Sequence, residues 1–189
     1  KIKQLILIYD IFYYKFMNKK KLFNFSNQET FSMLLILLLV SFRIIPHPPN
    51  FTPIIAVAIM SSHLFKNSYF SVAVLLIAMV VSDLFIGFYK NFIFVYSALL
   101  LIVFVFFKIN KNINYKNLFI FSIFGSLIFF LVSNFGVWLL GNLYEKNLKG
   151  LLDCYVMAIP FFRNTLLSTI IYCYGFYFST YSFLNYLKK

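Results

Sequence analysis

Long apolar segments separated by short polar links occupy most of this sequence, and they limit what the chain can fold into. Several approach the roughly 20 residues that a helix needs to cross a bilayer. Six such segments are present, at residues 30–45, 53–64, 69–88, 92–107, 118–140 and 155–186. The pattern predicts an all-α integral membrane protein, folded as one domain and built as a bundle of about six transmembrane helices.

The composition supports a membrane environment. Hydrophobic residues make up 62% of the 189 residues and charged residues 12%, whereas soluble domains are about half apolar and a quarter charged. So short a chain cannot bury that much apolar surface by folding alone. The net charge of +12 does not indicate a nucleic-acid partner, because the basic residues lie singly or in small groups between apolar segments, where positive charge orients helices.

Two of the six segments are unusual in length. Residues 53–64 are short for a span unless flanking residues join them. Residues 155–186 are too long for one straight span and are interrupted by Pro160, Arg163 and Asn164. We expect this last segment to begin as a loop or half-helix near the surface and then to cross the bilayer.

The N-terminal region precedes the first apolar segment. The sequence from Met17 to Lys21 resembles a natural start followed by a basic segment, so residues 1–16 are expected to be an upstream extension or a fragment of a longer chain. Residues 17–29 are interpreted as a basic and polar cytoplasmic N-terminus, and residues 30–187 as the six-helix membrane domain. A signal peptide at residues 19–40 is the rival interpretation, but no small-residue cleavage site follows it.

The distribution of basic residues predicts the orientation. With the N-terminus in the cytoplasm, nine lysines fall on the cytoplasmic side and at most five basic residues fall outside. The inner group is Lys19, Lys20, Lys21, Lys66, Lys108, Lys111, Lys116, Lys188 and Lys189, and the outer group is Arg43, Lys90, Lys146, Lys149 and Arg163. The positive-inside rule then places both termini in the cytoplasm.

Four prolines occur within eight residues after the first segment, in the sequence RIIPHPPNFTP at residues 43–53. Prolines at this density exclude a regular helix and push the preceding residues toward extended backbone. The link is either a stiff turn or a preorganised lid or cavity wall. In the second case Arg43, His47 and Asn50 would offer polar contacts.

Polar residues near other predicted outer ends are further candidates. Asp83 is the single acid within an apolar run, and such a carboxylate needs a partner or a cavity. It is expected to pair with Arg43 or Lys90, to contact a ligand, or to be protonated. Asn134 and Trp138 are four residues apart and share a helix face, which suits either a ligand contact or an interfacial anchor.

The run from Gly150 to Thr165 mixes acid, thiol, phenol and amide groups, and it predicts internal partners. Arg163 is expected to pair with Asp83 or Asp153. We expect the candidate substrate-binding residues to converge at the outer half of the bundle, where pockets with few polar groups in apolar walls are normal ligand sites. They are Arg43, His47, Asn50, Asp83, Asn134, Trp138, Asp153, Cys154, Tyr155 and Asn164.

No catalytic motif is visible in the sequence. It has no GxSxG, HExxH or phosphate-cradling glycine loop, and its two histidines fall on opposite sides of the predicted topology. We therefore predict no enzyme activity, no ATPase within the chain, no cofactor and no metal. A corrinoid is one alternative solute, and His47 or Cys154 would then be the cobalt ligand.

Four runs together carry a resemblance that covers most of residues 31–178. They are RIIPHPPNFTPI, SDLFIGFY, SNFGVW and GLLDCYVMAIPFFRNTL. The chain resembles an uncharacterised bacterial family of membrane proteins commonly described as transport proteins. That family is similar to the S components, the substrate-binding subunits, of energy-coupling factor vitamin transporters.

The resemblance implies a six-helix bundle in the plasma (inner) membrane that binds one small polar nutrient near its outer face under closing loops. A separate transmembrane coupling subunit and cytoplasmic ATPases would supply energy. S components often carry small residues spaced by four in the first helix for docking, whereas here only Ser32 and Ser41 are small. This departure leaves open a stand-alone secondary carrier. The competing class is a structural or assembly subunit of a larger membrane complex, which predicts a solid core without a cavity.

Overall fold

The computed structural model describes residues 26–65, 67–109 and 113–187, and these form six α-helices. The expectations for residues 1–16 and for Lys19 to Lys21 lie outside the described residues, as do Lys66, Lys111, Lys188 and Lys189. The helices are α1 Asn27–Ser41, α2 Ile54–Leu64, α3 Ser68–Ile86, α4 Phe92–Ile109, α5 Tyr115–Leu140 and α6 Leu148–Tyr186. The described part of the chain is thus all-helical.

Short polar side chains begin most of these helices. Before α1, the Ser26 hydroxyl accepts from the Glu29 backbone N–H at 3.2 Å, and the Glu29 carboxylate accepts from the Ser26 N–H at 3.0 Å. This reciprocal pair is a capping box. Three further helices, α3, α5 and α6, are capped by Asn67, Asn114 and Asn147. The side chain of each asparagine accepts a hydrogen bond from a backbone N–H group that has no partner within the helix. The polar links between the apolar segments therefore start the helices.

The short helix α2 lies at the centre of the bundle. Its residues from Ile54 to Ser61 are buried, and it packs against each of the other five helices. Ala56 and Ala58 are fully buried and permit close approach of the neighbouring helices. Eleven residues of helix span only about 16 Å, roughly half of a bilayer's hydrocarbon core. The proline-rich link at residues 43–53 precedes α2 and takes the place of the additional turns that a full-length spanning helix would have.

The last helix differs from the prediction. It begins at Leu148 and continues through Pro160 without a loop or half-helix. Asn147 caps its first turn by accepting from the Gly150 N–H at 2.8 Å, and Pro160 lies on its exposed side. A proline removes one backbone hydrogen bond, and helices in a membrane tolerate that loss when the neighbouring structure supports them.

Arg163 also differs from the prediction. It is exposed on α6, and among the residues that the structure describes it forms no ion pair. The reason is that Asp83 is already paired with Arg43, while Asp153 is itself exposed on the same helix.

Four helices, α3 to α6, are long and apolar enough to cross a membrane. In α1 a shorter apolar stretch covers Glu29–Leu38. Large apolar side chains such as Leu84 and Phe85 point away from the bundle and are 68% and 73% exposed. These features agree with a helical membrane protein, whereas the number of crossings and the side of the termini stay predictions.

Close approach between α4 and α5 depends on Gly136. A Cβ atom at this glycine would lie within 2.6 Å of the Phe94 ring atom Cδ2. Gly136 is buried, so no larger residue fits without moving that ring. The contact holds the end of α5 against the beginning of α4, and both ends border the cavity described next.

Candidate functional site

A cavity of about 600 Å³ lies at the end of α2 where the helix gives way to the proline-rich link. It is bounded by that link, by the turn between α3 and α4, and by the last turns of α5. Eighteen residues line it: Arg43, Ile44, Ile45, Pro46, His47, Asn50, Thr52, Ile54, Ile55, Ile86, Tyr89, Asn91, Val95, Phe129, Ser133, Asn134, Val137 and Thr165.

All four runs that carry the family resemblance contribute to this lining. The run at residues 43–54 supplies the largest part. The second run contributes Ile86 and Tyr89, the third contributes Ser133, Asn134 and Val137, and the fourth contributes Thr165. Residues far apart in the sequence therefore meet at one concave surface.

Arg43 is held at the cavity by a buried acidic group. Its Nη1 atom lies 2.6 Å from Oδ1 of Asp83, which is fully buried on α3. The two atoms form an ion pair, although their angles do not meet the criteria for a hydrogen bond. The same Nη1 donates to the Ser82 hydroxyl, and the Tyr96 hydroxyl donates to Asp83 Oδ2 at 2.8 Å. Asp83 does not line the cavity, and it acts on the cavity by positioning Arg43.

Tyr89 lies in the turn after α3, beside this ion pair. Burial raises the pKa of its phenol, and the Asp83 carboxylate raises it further, while the Arg43 cation opposes both effects. The phenol therefore stays protonated near neutral pH. It can offer one O–H donor and accept through its oxygen.

Three asparagines bring amide groups to the cavity. Asn134 donates through Nδ2 to the Phe130 carbonyl at 2.8 Å, which leaves its Oδ1 and one N–H for a solute. Asn50 adopts the left-handed conformation with φ 62°, which asparagine tolerates better than most residues. Among the described residues, the side chains of Asn50 and Asn91 hydrogen-bond no other group. Each amide can both donate and accept.

Two contacts fasten the proline-rich link to α6. Asn164 on α6 donates through Nδ2 to the Pro49 carbonyl at 3.0 Å, and the Phe51 ring meets the Tyr172 ring edge-on at 6.1 Å. Within the link, His47 Nδ1 lies 2.6 Å from the Ile45 carbonyl oxygen. These contacts order a segment that has no helical hydrogen bonds of its own.

Trp138, predicted beside Asn134, is not a lining residue. Its Nε1 donates to the Glu145 carbonyl at 2.9 Å, and the Lys146 ammonium lies 5.6 Å above its ring. Lys146 also donates to the Trp138 carbonyl. The indole thus stabilises the link between α5 and α6.

Three further predicted residues on α6 lie away from the cavity. Cys154 is buried with Sγ 3.5 Å from the Asn134 carbonyl, and the Tyr155 hydroxyl donates to the Leu131 carbonyl at 2.7 Å. Asp153 is exposed. These residues pack α6 against α5 or face outward. Of the two suggested cobalt ligands, only His47 therefore lines the cavity.

The structure accordingly divides the ten predicted residues. Arg43, His47, Asn50 and Asn134 line the cavity, Asp83 supports it through Arg43, and Asn164 holds its proline-rich wall. The prediction missed five polar lining residues, Thr52, Tyr89, Asn91, Ser133 and Thr165. Four of these belong to the runs quoted above, and membership of the runs was the signal that could have found them.

The family described as "Family of unknown function (DUF6580)" matches residues 23–188 of this chain. No curated protein and no solved structure matches this chain. The matched range includes every residue that lines the cavity.

Proposed function

The chain belongs to the DUF6580 family, and we propose that it is a substrate-binding membrane subunit for uptake of a small polar, vitamin-like nutrient, energised by a separate partner. The observation that supports this proposal is the cavity itself. About 600 Å³ is within the range of small-molecule sites, and such sites combine apolar walls with polar groups that orient the ligand. Half of the eighteen lining residues here are polar and half are apolar.

The proposal includes an arrangement in the membrane. Six helices cross or enter the bilayer, both termini are cytoplasmic, and the cavity opens toward the outer face of a bacterial inner membrane. Support comes from the larger number of basic residues on the predicted cytoplasmic side. It also comes from the length of α2, which is about half of what a spanning helix needs. Non-helical chain at membrane depth is tolerated where it lines a cavity, and residues 43–53 meet that condition.

Energy coupling by a separate partner is proposed from the family resemblance. The resemblance to S components implies a transmembrane coupling subunit and cytoplasmic ATPases. On α1, the apolar residues Leu34, Leu37 and Leu38 are exposed, whereas a face of small residues spaced by four is absent from its sequence. This favours a stand-alone secondary carrier as the second candidate.

A structural or assembly subunit is the competing class. It predicts that the four runs serve helix packing and leave a solid core. Trp138, Cys154 and Tyr155 fit that role, because their polar atoms bond neighbouring backbone carbonyls. The cavity lined by the remaining run residues favours solute binding instead.

Mass spectrometry of small molecules that co-purify with the protein tests the proposal. Val137 lines the cavity, and Leu139 is exposed on the same helix two residues later. Val137→Phe fills part of the cavity, and Leu139→Phe adds the same ring outside it. We expect a stoichiometric solute in the wild type and in Leu139→Phe, and its loss in Val137→Phe. A wild-type preparation without solute, or equal retention by both variants, would contradict the proposal.

A further inference from the structure

The charge inventory of the cavity indicates which solutes it accepts. Among the described lining residues, Arg43 is the one with a permanent charge, and no carboxylate lines the cavity. The Asp83 carboxylate directly behind Arg43 is fully buried and balances that charge at 2.6 Å. His47 stands on the exposed link with its imidazole against the Ile45 carbonyl. The inner wall of the cavity, meaning Arg43, Tyr89, Asn91, Ser133 and Asn134, therefore has no net charge when Asp83 is counted with Arg43.

The remaining polar groups of the inner wall are neutral, and together they can both donate and accept hydrogen bonds. The amides of Asn91 and Asn134 provide donors and acceptors, and the Ser133 hydroxyl, which donates to the Phe129 carbonyl at 2.6 Å, keeps acceptor capacity. Burial raises the pKa of the Tyr89 phenol, so this group adds no negative charge. A solute with alternating donors and acceptors finds partners on this wall.

Apolar side chains lie beside these groups in the cavity lining, and Ile55, Val95 and Val137 are among them. They can cover a flat ring or an alkyl body but offer nothing to a charge. An ionised solute would lose its hydration there, and an unpaired charge at membrane depth is costly. An anion would also compete with Asp83 for Arg43, and removing that partner would leave a buried carboxylate unpaired.

We propose that the cavity selects solutes without net charge, of the class of amide- or lactam-bearing rings with an apolar body, and that the Arg43–Asp83 pair enforces this selection. The inference rests on the proposed function, because it describes the solute of the same cavity. Asp83 is a positioning residue in this scheme. It holds Arg43 and cancels its charge.

Three fluorinated probes of similar size test the selection in protein reconstituted in nanodiscs. They are 4-fluorobenzamide, 4-fluorobenzoate and 4-fluorobenzylammonium, and binding is measured by ¹⁹F line broadening. We assign to the cavity the line broadening that is lost in Val137→Phe and retained in Leu139→Phe. In the wild type we expect the amide to bind at least about tenfold more tightly than either ion.

The ion pair is tested by changing its net charge. Asp83→Asn leaves the Arg43 cation uncompensated, so the preference should move from the amide to the benzoate by about tenfold or more. Arg43→Gln combined with Asp83→Asn removes both charges and should keep the preference for the amide. This double variant also supplies a result if the single variant does not fold.

Benzoate or ammonium binding as tight as amide binding in the wild-type cavity overturns the inference, and so does the absence of any Val137-sensitive amide binding. A charged solute in the co-purification experiment would overturn the inference while leaving the proposed function intact. A preparation without solute would instead contradict the proposed function, even where the probes show the expected charge preference.

Discussion

The side chain of Asn164 in α6 donates a hydrogen bond to the carbonyl oxygen of Pro49, 115 positions earlier in the sequence, at 3.0 Å. The link that contains Pro49 lacks helical hydrogen bonds, and its prolines have no N–H to donate. A side chain from the last helix therefore supplies part of the order that the backbone of the link cannot supply. This tether fastens the link, and other residues of the link, such as His47 and Asn50, line the cavity.

Asn164→Leu should loosen the link while leaving the bundle folded. The substitution removes one hydrogen bond, a change of about 0.5–1.5 kcal/mol, so amide hydrogen exchange at residues 43–52 should accelerate several-fold. Arg163→Gln is the matched control, because Arg163 is exposed beside it and forms no ion pair within the described residues. Equal exchange in both variants would show that the Asn164 contact does not order the link.

The Arg43–Asp83 pair should show strong coupling in a double-mutant cycle. Arg43→Gln and Asp83→Asn each leave one charge unpaired, and each should destabilise the protein by about 3–5 kcal/mol. The double variant should lose much less than the sum, because neither charge remains. Thermal or denaturant unfolding in detergent measures the three losses, and additive losses would mean that the two residues do not interact.

Tyr96→Phe tests the second partner of Asp83. The change removes one hydrogen bond to a carboxylate, worth about 1.5–3 kcal/mol. Stability should fall by less than in Asp83→Asn. An unchanged stability would contradict a hydrogen bond between the Tyr96 hydroxyl and Asp83.

Gly136→Ala should weaken the packing between α4 and α5. The new Cβ would collide with the Phe94 ring, and such overpacking costs about 1–3 kcal/mol. Gly175→Ala is the control, because a Cβ at Gly175 meets no atom within 4 Å and alanine has the better helix propensity. We expect a lower melting temperature for the first variant and an unchanged or higher one for the second. The reverse order would contradict the close helix contact.

The orientation can be tested by cysteine labelling in intact cells. Asn142 lies in the exposed link between α5 and α6, and Ser68 is exposed at the start of α3. In a background with Cys154 and Cys173 replaced by alanine, a membrane-impermeant maleimide should label Asn142→Cys directly. Ser68→Cys should react only after the membrane is opened. The opposite pattern would reverse the orientation, and labelling of both in intact cells would reject the six-crossing arrangement.

The sequence predicted the helices more completely than the site. Five of the six predicted segments agree with the observed helices to within four residues, because apolar length and the polar links mark them. The sixth was predicted to begin at residue 155, since Pro160 suggests a break, yet the helix begins at Leu148. A proline on an exposed helix face costs one backbone bond, and tertiary packing compensates for that cost.

Site residues were harder to predict because the sequence does not show which face of each helix points into the bundle, or at which level along the helices the cavity lies. Asn134 and Trp138 share a helix face by spacing, yet one lines the cavity and the other bonds the Glu145 carbonyl. Asp83 was correctly expected to need a partner, and only the structure distinguishes Arg43 from Lys90 as that partner. Neutral polar residues such as Asn91 and Thr165 give no signal in the sequence comparable with an acid in an apolar run.

The most direct test of the central claim is an experimental structure of the protein purified from its native membrane without added ligand. We predict compact density for one small solute in the cavity, in contact with Arg43, Tyr89 and Asn134. A cavity closed by side chains, or one filled by the continuous density of a lipid chain, would contradict a solute-binding role.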